Sequence, residues 1–265
     1  MSKLLVKPQG TEGRVTHVTP ESAGWTYVGF DLHRLKAGET VSAETSDREV
    51  CLVWIAGRGT ARAKGRDFGS VGERMSPFDG PPHALYVPAG TDWSVTAETD
   101  LELAVCSAPG GGDHHAKLIP PGTHPPLTRG KGSNVRHVAN IMPEDDGAAH
   151  SLLVVEVITP NGNTSSYPSH KHDRDDLPNE SQLEETYYHR LNPPQGFAFQ
   201  RVYTDDRSLD EAMAVEDGDV VCVPKGYHPC ATIHGYDLYY LNVMAGPKRV
   251  WKFHNAKEHE WLLQA

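Results

Sequence analysis

The sequence predicts an all-β protein of two tandem β-barrels with little helix, and three observations point there. Short runs of β-branched, aromatic or alternating residues recur, each bounded by Gly, Pro, Asn or Asp. The chain carries 25 glycines and 20 prolines in 265 residues, enough for many turns and too few for a low-complexity chain. A Pro-x-Gly segment at a strand end occurs once in each half, as Tyr86-Val-Pro-Ala-Gly-Thr-Asp-Trp93 and as Cys222-Val-Pro-Lys-Gly-Tyr-His228. A repeat of that kind favours duplication of one small barrel.

The elements follow in order. The first half, residues 1–107, offers strands at Glu49–Ile55 and Leu101–Cys106. Residues 108–133, APGGGDHHAKLIPPGTHPPLTRGKGS, are dense in Gly and Pro without periodicity and read as a surface linker. The second half, residues 134–265, offers strands at Ser151–Ile158, Thr186–Leu191, Phe197–Tyr203, Asp219–Val223 and Tyr236–Met244. Helical periodicity is scarce. Ser208–Met213 is read as about one helical turn and Asn255–Leu262 as a short terminal helix.

Composition removes several classes. The formal net charge is −10 and there is no basic block, which argues against nucleic acid as a partner. No apolar run approaches the roughly 18 residues of a transmembrane helix, so no membrane partner is expected. The patch Leu4–Val6, followed at once by Pro8, is too short for a signal-peptide core. Cys51, Cys106, Cys222 and Cys230 form no CxxC and read as reduced, buried thiols. A cytoplasmic protein is expected, and a homo-oligomer is compatible with the sequence.

Fifteen histidines are the unusual feature, and their placement carries the chemistry. His170-Lys-His172 puts two imidazoles at i and i+2, on one face if the segment is a strand. Downstream come Glu184-Glu185-Thr-Tyr-Tyr-His189, then Pro224-Lys-Gly226-Tyr-His228. His170, His172, a glutamate and His228 make an N/O set suited to one divalent first-row metal (Zn, Mn, Fe, Co or Ni) with open positions. The competing reading makes His170 and His172 surface residues paired with Asp173, Asp175 and Asp176. Only one of the adjacent Glu184 and Glu185 can face a barrel interior. Glu185 is favoured, and it would share its face with Tyr187 and His189.

HxH, Glu and P-x-G followed by His resemble the metal motifs of cupins, and two copies resemble a bicupin. SYPSHKHDRDDLPNE, LEETYYHRLNPPQGFAFQRVYTDDR, VPKGYHP and YYLNVMAGPKRVW are similar to the 5-deoxy-glucuronate isomerases of bacterial inositol catabolism. The resemblance implies two double-stranded β-helix (jelly-roll) barrels. It also implies conversion of 5-deoxy-D-glucuronate to 2-deoxy-5-keto-D-gluconate. Twelve residues separate His172 from Glu185, more than the usual cupin spacing, so DRDDLPNESQLE reads as an insertion. The first half lacks the ligands: its corresponding segment, Gly38–Asp47, has no histidine, Trp93 stands near the place of His228, and His83 reads as a loop residue.

For the chemistry, His189 is the first candidate base, with a solvated strand-end histidine as the alternative. Glu184 is the second. The partner is a small-molecule sugar acid, so a cation is expected. Alternation groups Phe197, Phe199, Arg201 and Tyr203, and Arg201 either reads the substrate carboxylate or pairs with Glu156 or Asp205. Lys225 is the alternative cation. Tyr187, Tyr240 and Asn242 are candidate hydroxyl contacts. Rival functions are the 4-deoxy-threo-hexulosuronate ketol-isomerase of pectin breakdown, a cupin dioxygenase and a non-enzymatic sugar-binding cupin.

Overall fold

The computed structural model describes residues 2–264. The strand-rich segments form antiparallel sheets in two compact units. One comprises Pro8–Pro125 with Asn140–Val155; the other comprises the residues up to Lys7, Pro126–Ala139 and everything from Glu156 onward. The expected halves were contiguous. Here the N-terminal strand Leu5–Val6 pairs with Val220–Val223 in the second unit. Residues 140–155 belong to the first. The expected linker is partly strand: Lys117–Ile119 pairs with Ala84–Val87, and Leu127–Arg129 pairs with Arg136–Met142. Backbone groups in a Gly/Pro-rich stretch still need partners, and sheet edges supply them.

In the N-terminal unit, a six-stranded sheet runs in the order Lys117–Ile119, Ala84–Val87, Arg48–Ala56, Leu101–Pro109, Gly29–Leu35, Gly13–Val18. A four-stranded sheet runs Thr40–Glu44, Asp92–Ala97, Gly59–Ala63, Arg66–Val71. Both contribute to one core that includes Val50, Leu52, Trp54, Leu85, Trp93, Val95, Leu103 and Val105. Two antiparallel sheets closing over a shared apolar core are the jelly-roll arrangement.

The C-terminal unit repeats it. Its larger sheet runs Leu5–Val6, Val220–Val223, Glu184–Asn192, Asp237–Ala245, Leu153–Thr159, Arg136–Met142, Leu127–Arg129. Its smaller sheet runs Thr164–Ser165, Cys230–Thr232, Phe197–Tyr203, Asp210–Glu216. The segment Ser208–Met213, read as helical, enters the strand Asp210–Glu216, because its alternate residues Met213 and Val215 bury against the sheet interior. The terminal helix is present as a 3-10 helix over Lys257–Leu263. No helix among the described residues is long and apolar enough to cross a membrane.

Register shows what distinguishes the units. Val50 opposes Val87, and Glu185 opposes Val223. Val87 and Val223 each precede the proline of a Pro-x-Gly turn, so Val50 stands where Glu185 stands. Two steps on, Leu52 opposes Val105 as Tyr187 opposes Asn242; two further, Trp54 opposes Leu103 as His189 opposes Tyr240. Every polar position on this inward face of the C-terminal sheet has an apolar counterpart in the N-terminal core.

Candidate metal centre

The strand Glu184–Asn192 is central in its sheet, hydrogen-bonded on both sides. It therefore holds Glu185, Tyr187 and His189 on one face with little freedom. His172 follows the short strand His170–Lys171, which pairs with His254–Asn255. His228 arrives from the Pro224–Gly226 turn. Gly226 sits at φ 89°, and a Cβ there would meet the Tyr203 carbonyl oxygen at 2.4 Å, so the turn needs glycine for both conformation and space.

These segments bring His172, Glu185 and His228 together with one potential ligand atom from each lying within 4.8 Å of the others, all three buried. Glu185 Oε2 is 3.1 Å from His172 Nε2 and 3.2 Å from His228 Nε2. Each imidazole faces a backbone carbonyl through Nδ1: His172 donates to Leu183 at 3.2 Å and His228 to Gly226 at 2.8 Å. Those bonds fix both Nε2 atoms toward the carboxylate. His170 stands beside the trio, half-buried, its ring 5.0 Å from that of His228. The surface-pair alternative for His170 and His172 does not describe this arrangement.

Glu184 lies one register step away and points to the opposite face, against Ala245. The step of one residue separates the two glutamates, as strand geometry requires.

The electrostatics fit a cation. His228 Nε2 is buried without a hydrogen bond, and burial first of all drives its pKa down to about 3, so it stays a neutral lone-pair donor. Burial also holds His170 near 3, with His172 and Arg136 adding to the effect. At His172 burial acts downward, but the hydrogen bond and charge of Glu185 override it and the pKa rises. A neutral His228 and a carboxylate aimed at one point present lone pairs to each other. A divalent ion there would satisfy the orphaned nitrogen, replace the proton on His172 and neutralise the carboxylate.

Beyond the trio, the same face carries a polar wall. His189 is fully buried, not a solvated strand end. Its Nε2 donates to Gln200 Oε1 at 2.9 Å, and Nδ1 has no partner. Gln200 is itself oriented by the His228 carbonyl, which accepts from its Nε2 at 3.4 Å. Burial drives the His189 pKa down to about 4, against the bond to Gln200. The Tyr187 ring stacks on His189 at 5.8 Å and lies 4.9 Å from that of Tyr240. The two phenols bond Ser166 and Ser165 respectively. Asn242 is buried with Nδ2 unpartnered. Orphaned buried polar atoms on an inward face call for a ligand.

The expected cations lie elsewhere. On Phe197–Tyr203 the buried residues are Ala198, Gln200, Val202 and Tyr203, while Phe197, Phe199 and Arg201 are exposed. Arg201 forms a two-pronged pair with Asp210, Nε at 2.8 Å and Nη2 at 2.7 Å. It meets neither Glu156 nor Asp205 and does not enter the barrel. The expected grouping of Phe197, Phe199, Arg201 and Tyr203 is therefore mostly the outer set, and the small and apolar flanks of Gln200, Ala198 and Val202, are the signal for the inner one. Lys225 is exposed.

The DRDDLPNE insertion connects the segments that carry His172 and His228. Lys171, between the two motif histidines, is 2 % exposed and contacts Asp173 at 2.8 Å, Asp205 at 3.2 Å and Glu180 at 3.6 Å. Asp173 Oδ2 accepts the Gly226 N–H at 2.9 Å. One carboxylate thus ties the strand after His172 to the turn before His228. The sequence showed the charges but not this pairing.

The chain is similar to several known proteins. The protein named 5-deoxy-glucuronate isomerase from Geobacillus kaustophilus is 54% identical over 268 residues, covering 100% of this chain and 97% of that one. The crystal structure of an IolB-like protein from Salmonella typhimurium is 56% identical with a TM-score of 0.96, covering 98% of this chain and 99% of that one. Oxalate decarboxylase of Lactobacillus farciminis, solved with formate, is 15% identical with a TM-score of 0.68 over 100% of this chain and 91% of its own. The last likeness concerns the fold alone and is that of a bicupin. The KduI/IolB family matches residues 4–262, and with relatives this similar end to end the chain belongs to that family.

Proposed function

We propose that this chain is a metal-dependent aldose–ketose isomerase that converts 5-deoxy-D-glucuronate to 5-dehydro-2-deoxy-D-gluconate. The observation that carries the reading is the buried His172–Glu185–His228 cluster facing His189, Tyr187, Tyr240 and Asn242. It occurs in a chain 54% identical to a protein named for that reaction. His172, Glu185 and His228 would hold one divalent ion, with His170 beside them. The set accommodates Zn, Mn, Fe, Co or Ni. When bound, the ion is a Lewis acid that stabilises negative charge on the oxygens of the reacting carbons.

The chain's own side chains do the rest. Isomerisation moves one proton from the carbon next to the aldehyde onto the aldehyde carbon, and one between their oxygens. His189 is the proposed carrier of the carbon-bound proton. Its Nε2–H is committed to Gln200, which leaves the Nδ1 lone pair free. Asn242 Nδ2 is an available donor for a substrate oxygen, and Tyr187 and Tyr240 wall the space. Glu184 has no part in this scheme, because it faces away. The buried thiols Cys51, Cys106, Cys222 and Cys230 are consistent with a cytoplasmic setting.

Turnover of 5-deoxy-glucuronate by metal-loaded protein, followed by NMR in D2O, tests the reading. The ketose should carry one deuterium at the former aldehyde carbon. Unlabelled ketose would mean either return of the same proton by the buried His189 or a hydride shift, and turnover that survives His189→Gln would decide for the hydride shift. No ketose from this acid, with turnover of the 4-deoxy-hexulosuronate instead, would move the substrate assignment to the pectin-derived acid.

A further inference from the structure

With Arg201 on the outside, a different group must answer the negative end of a sugar acid. The C-terminal unit has a cavity of about 670 Å³ lined by two cations, the half-buried Arg136 and the exposed Lys131, with Asn134, Thr164, Tyr167 and Leu263 among others. That volume is in the usual range for small-molecule sites, roughly 300–1,000 Å³. Its lining segments lead directly, along the chain, into residues of the candidate metal centre. Thr164 precedes Ser165 and Ser166, whose hydroxyls bond Tyr240 and Tyr187. Tyr167 and Pro168 lead within two residues to His170. The other wall is the terminal 3-10 helix, held by the Ala256 N–H donating to the Ser169 carbonyl and by the His259 ring against Tyr167.

Arg136 is set apart from four arginines of this unit that pair with carboxylates. Arg174, Arg190, Arg201 and Arg207 each face a carboxylate. Arg136 is half-buried, and its hydrogen bond is a single one, from Nη1 to the Asn134 carbonyl at 3.1 Å. No carboxylate among the described residues pairs with it. A desolvated guanidinium without a counter-ion is costly unless a ligand supplies one.

We propose that this cavity is the subsite for the substrate's carboxylate and that Arg136 is the cation that reads it. The inference rests on the isomerase reading for the identity of the acid, but the subsite can be tested without turnover. An aldehyde held at the cluster leaves the carboxylate at the far end of an open chain, where a planar fork of donors suits it. Lacking a 5-hydroxyl, 5-deoxy-glucuronate cannot close a pyranose ring; its 4-hydroxyl can close only a furanose, and isomerisation uses the open-chain aldehyde.

The probe is gluconate, an open-chain acid, against sorbitol, the same chain ending in a primary alcohol. Both are titrated calorimetrically into metal-stripped full-length protein, so that no carboxylate–metal bond contributes. Wild type should favour gluconate about ten- to a hundred-fold, as expected for a charge-assisted bidentate contact. Arg136→Gln should abolish the preference, and Arg136→Lys should keep only part of it. Absence of the preference in wild type, or its survival in Arg136→Gln, overturns the proposal. Should Arg136→Gln fail to fold by circular dichroism, Arg136→Lys decides, since an unchanged preference there also overturns it. Turnover of 5-deoxy-glucuronate is measured separately. A protein that keeps the Arg136-dependent preference but makes no ketose fails the isomerase reading alone.

Discussion

At the scale of single residues, function depends on which of two adjacent side chains faces inward. Glu185→Gln, His172→Ala and His228→Ala should each lose bound metal and cut turnover on the order of a hundredfold or more. Glu184→Gln should keep the metal, since that carboxylate is on the other face. Metal content by mass spectrometry reads both outcomes. His189→Gln should retain metal and lose roughly 10²–10⁴ in kcat, the usual range for a general base. Arg201→Ala should leave kcat/KM nearly unchanged, because an exposed pair contributes about 0–1 kcal/mol. His189 also predicts a pH dependence. Its folded pKa of about 4 lies below its unfolded value, so the unfolded chain takes up the proton first as pH falls. Stability of metal-stripped protein should therefore decline between about pH 6.5 and 4, by about 3 kcal/mol from this group. Urea unfolding across that range should show His189→Gln lacking this part of the slope. Metal should leave in acid for a related reason: the raised pKa of His172 makes its proton the competitor.

At the scale of elements, buried carboxylates clamp loops to strands. Asp173 accepts from Lys171 and from the Gly226 N–H, so Asp173→Asn should loosen the turn that delivers His228. A weakened metal Kd, about ten- to a hundred-fold, with unchanged secondary structure is the expected result, measured by competition with a chelator. The N-terminal unit has a counterpart without a site. Glu49, fully buried, accepts from the Tyr86 hydroxyl and the His150 N–H through Oε2, and from the Ser151 and Leu152 N–H groups through Oε1. By register it stands where Glu184 stands. Glu49→Gln would set an amide N–H2 against backbone donors and should cost about 2–4 kcal/mol, visible as a lower urea midpoint.

At the scale of the whole molecule, duplication has been followed by divergence of one face. Val50, Leu52, Trp54, Leu103 and Val105 occupy the positions that Glu185, Tyr187, His189, Tyr240 and Asn242 occupy in the other unit. They are packed in an apolar core, whose one polar atom among these five side chains, the Trp54 Nε1–H, is a donor that cannot ligate an ion. The expected stoichiometry is therefore one metal per chain, bound by the C-terminal unit. Two equivalents retained after dialysis would contradict it.

The sequence by itself determined the all-β class and displayed the Pro-x-Gly repeat and the His and Glu residues that the cluster brings together. Period-two alternation, Pro-x-Gly turns and the HxH spacing are local patterns that survive without knowing what lies opposite. It also placed Glu185 with Tyr187 and His189, because alternation on one strand is a property of that strand alone. The tertiary structure decided what depends on partners. Alternation cannot say which alternate set of Phe197–Tyr203 faces inward, and so it put Arg201 inside and overlooked Gln200. The residues that complete the site, Ser165, Ser166, Asp173 and Arg136, lie outside the strand Glu184–Asn192, and no local pattern displays which of them approach it. Whether a cation such as Arg136 is paired is set by the fold around it, since charge has no periodicity that a sequence can display.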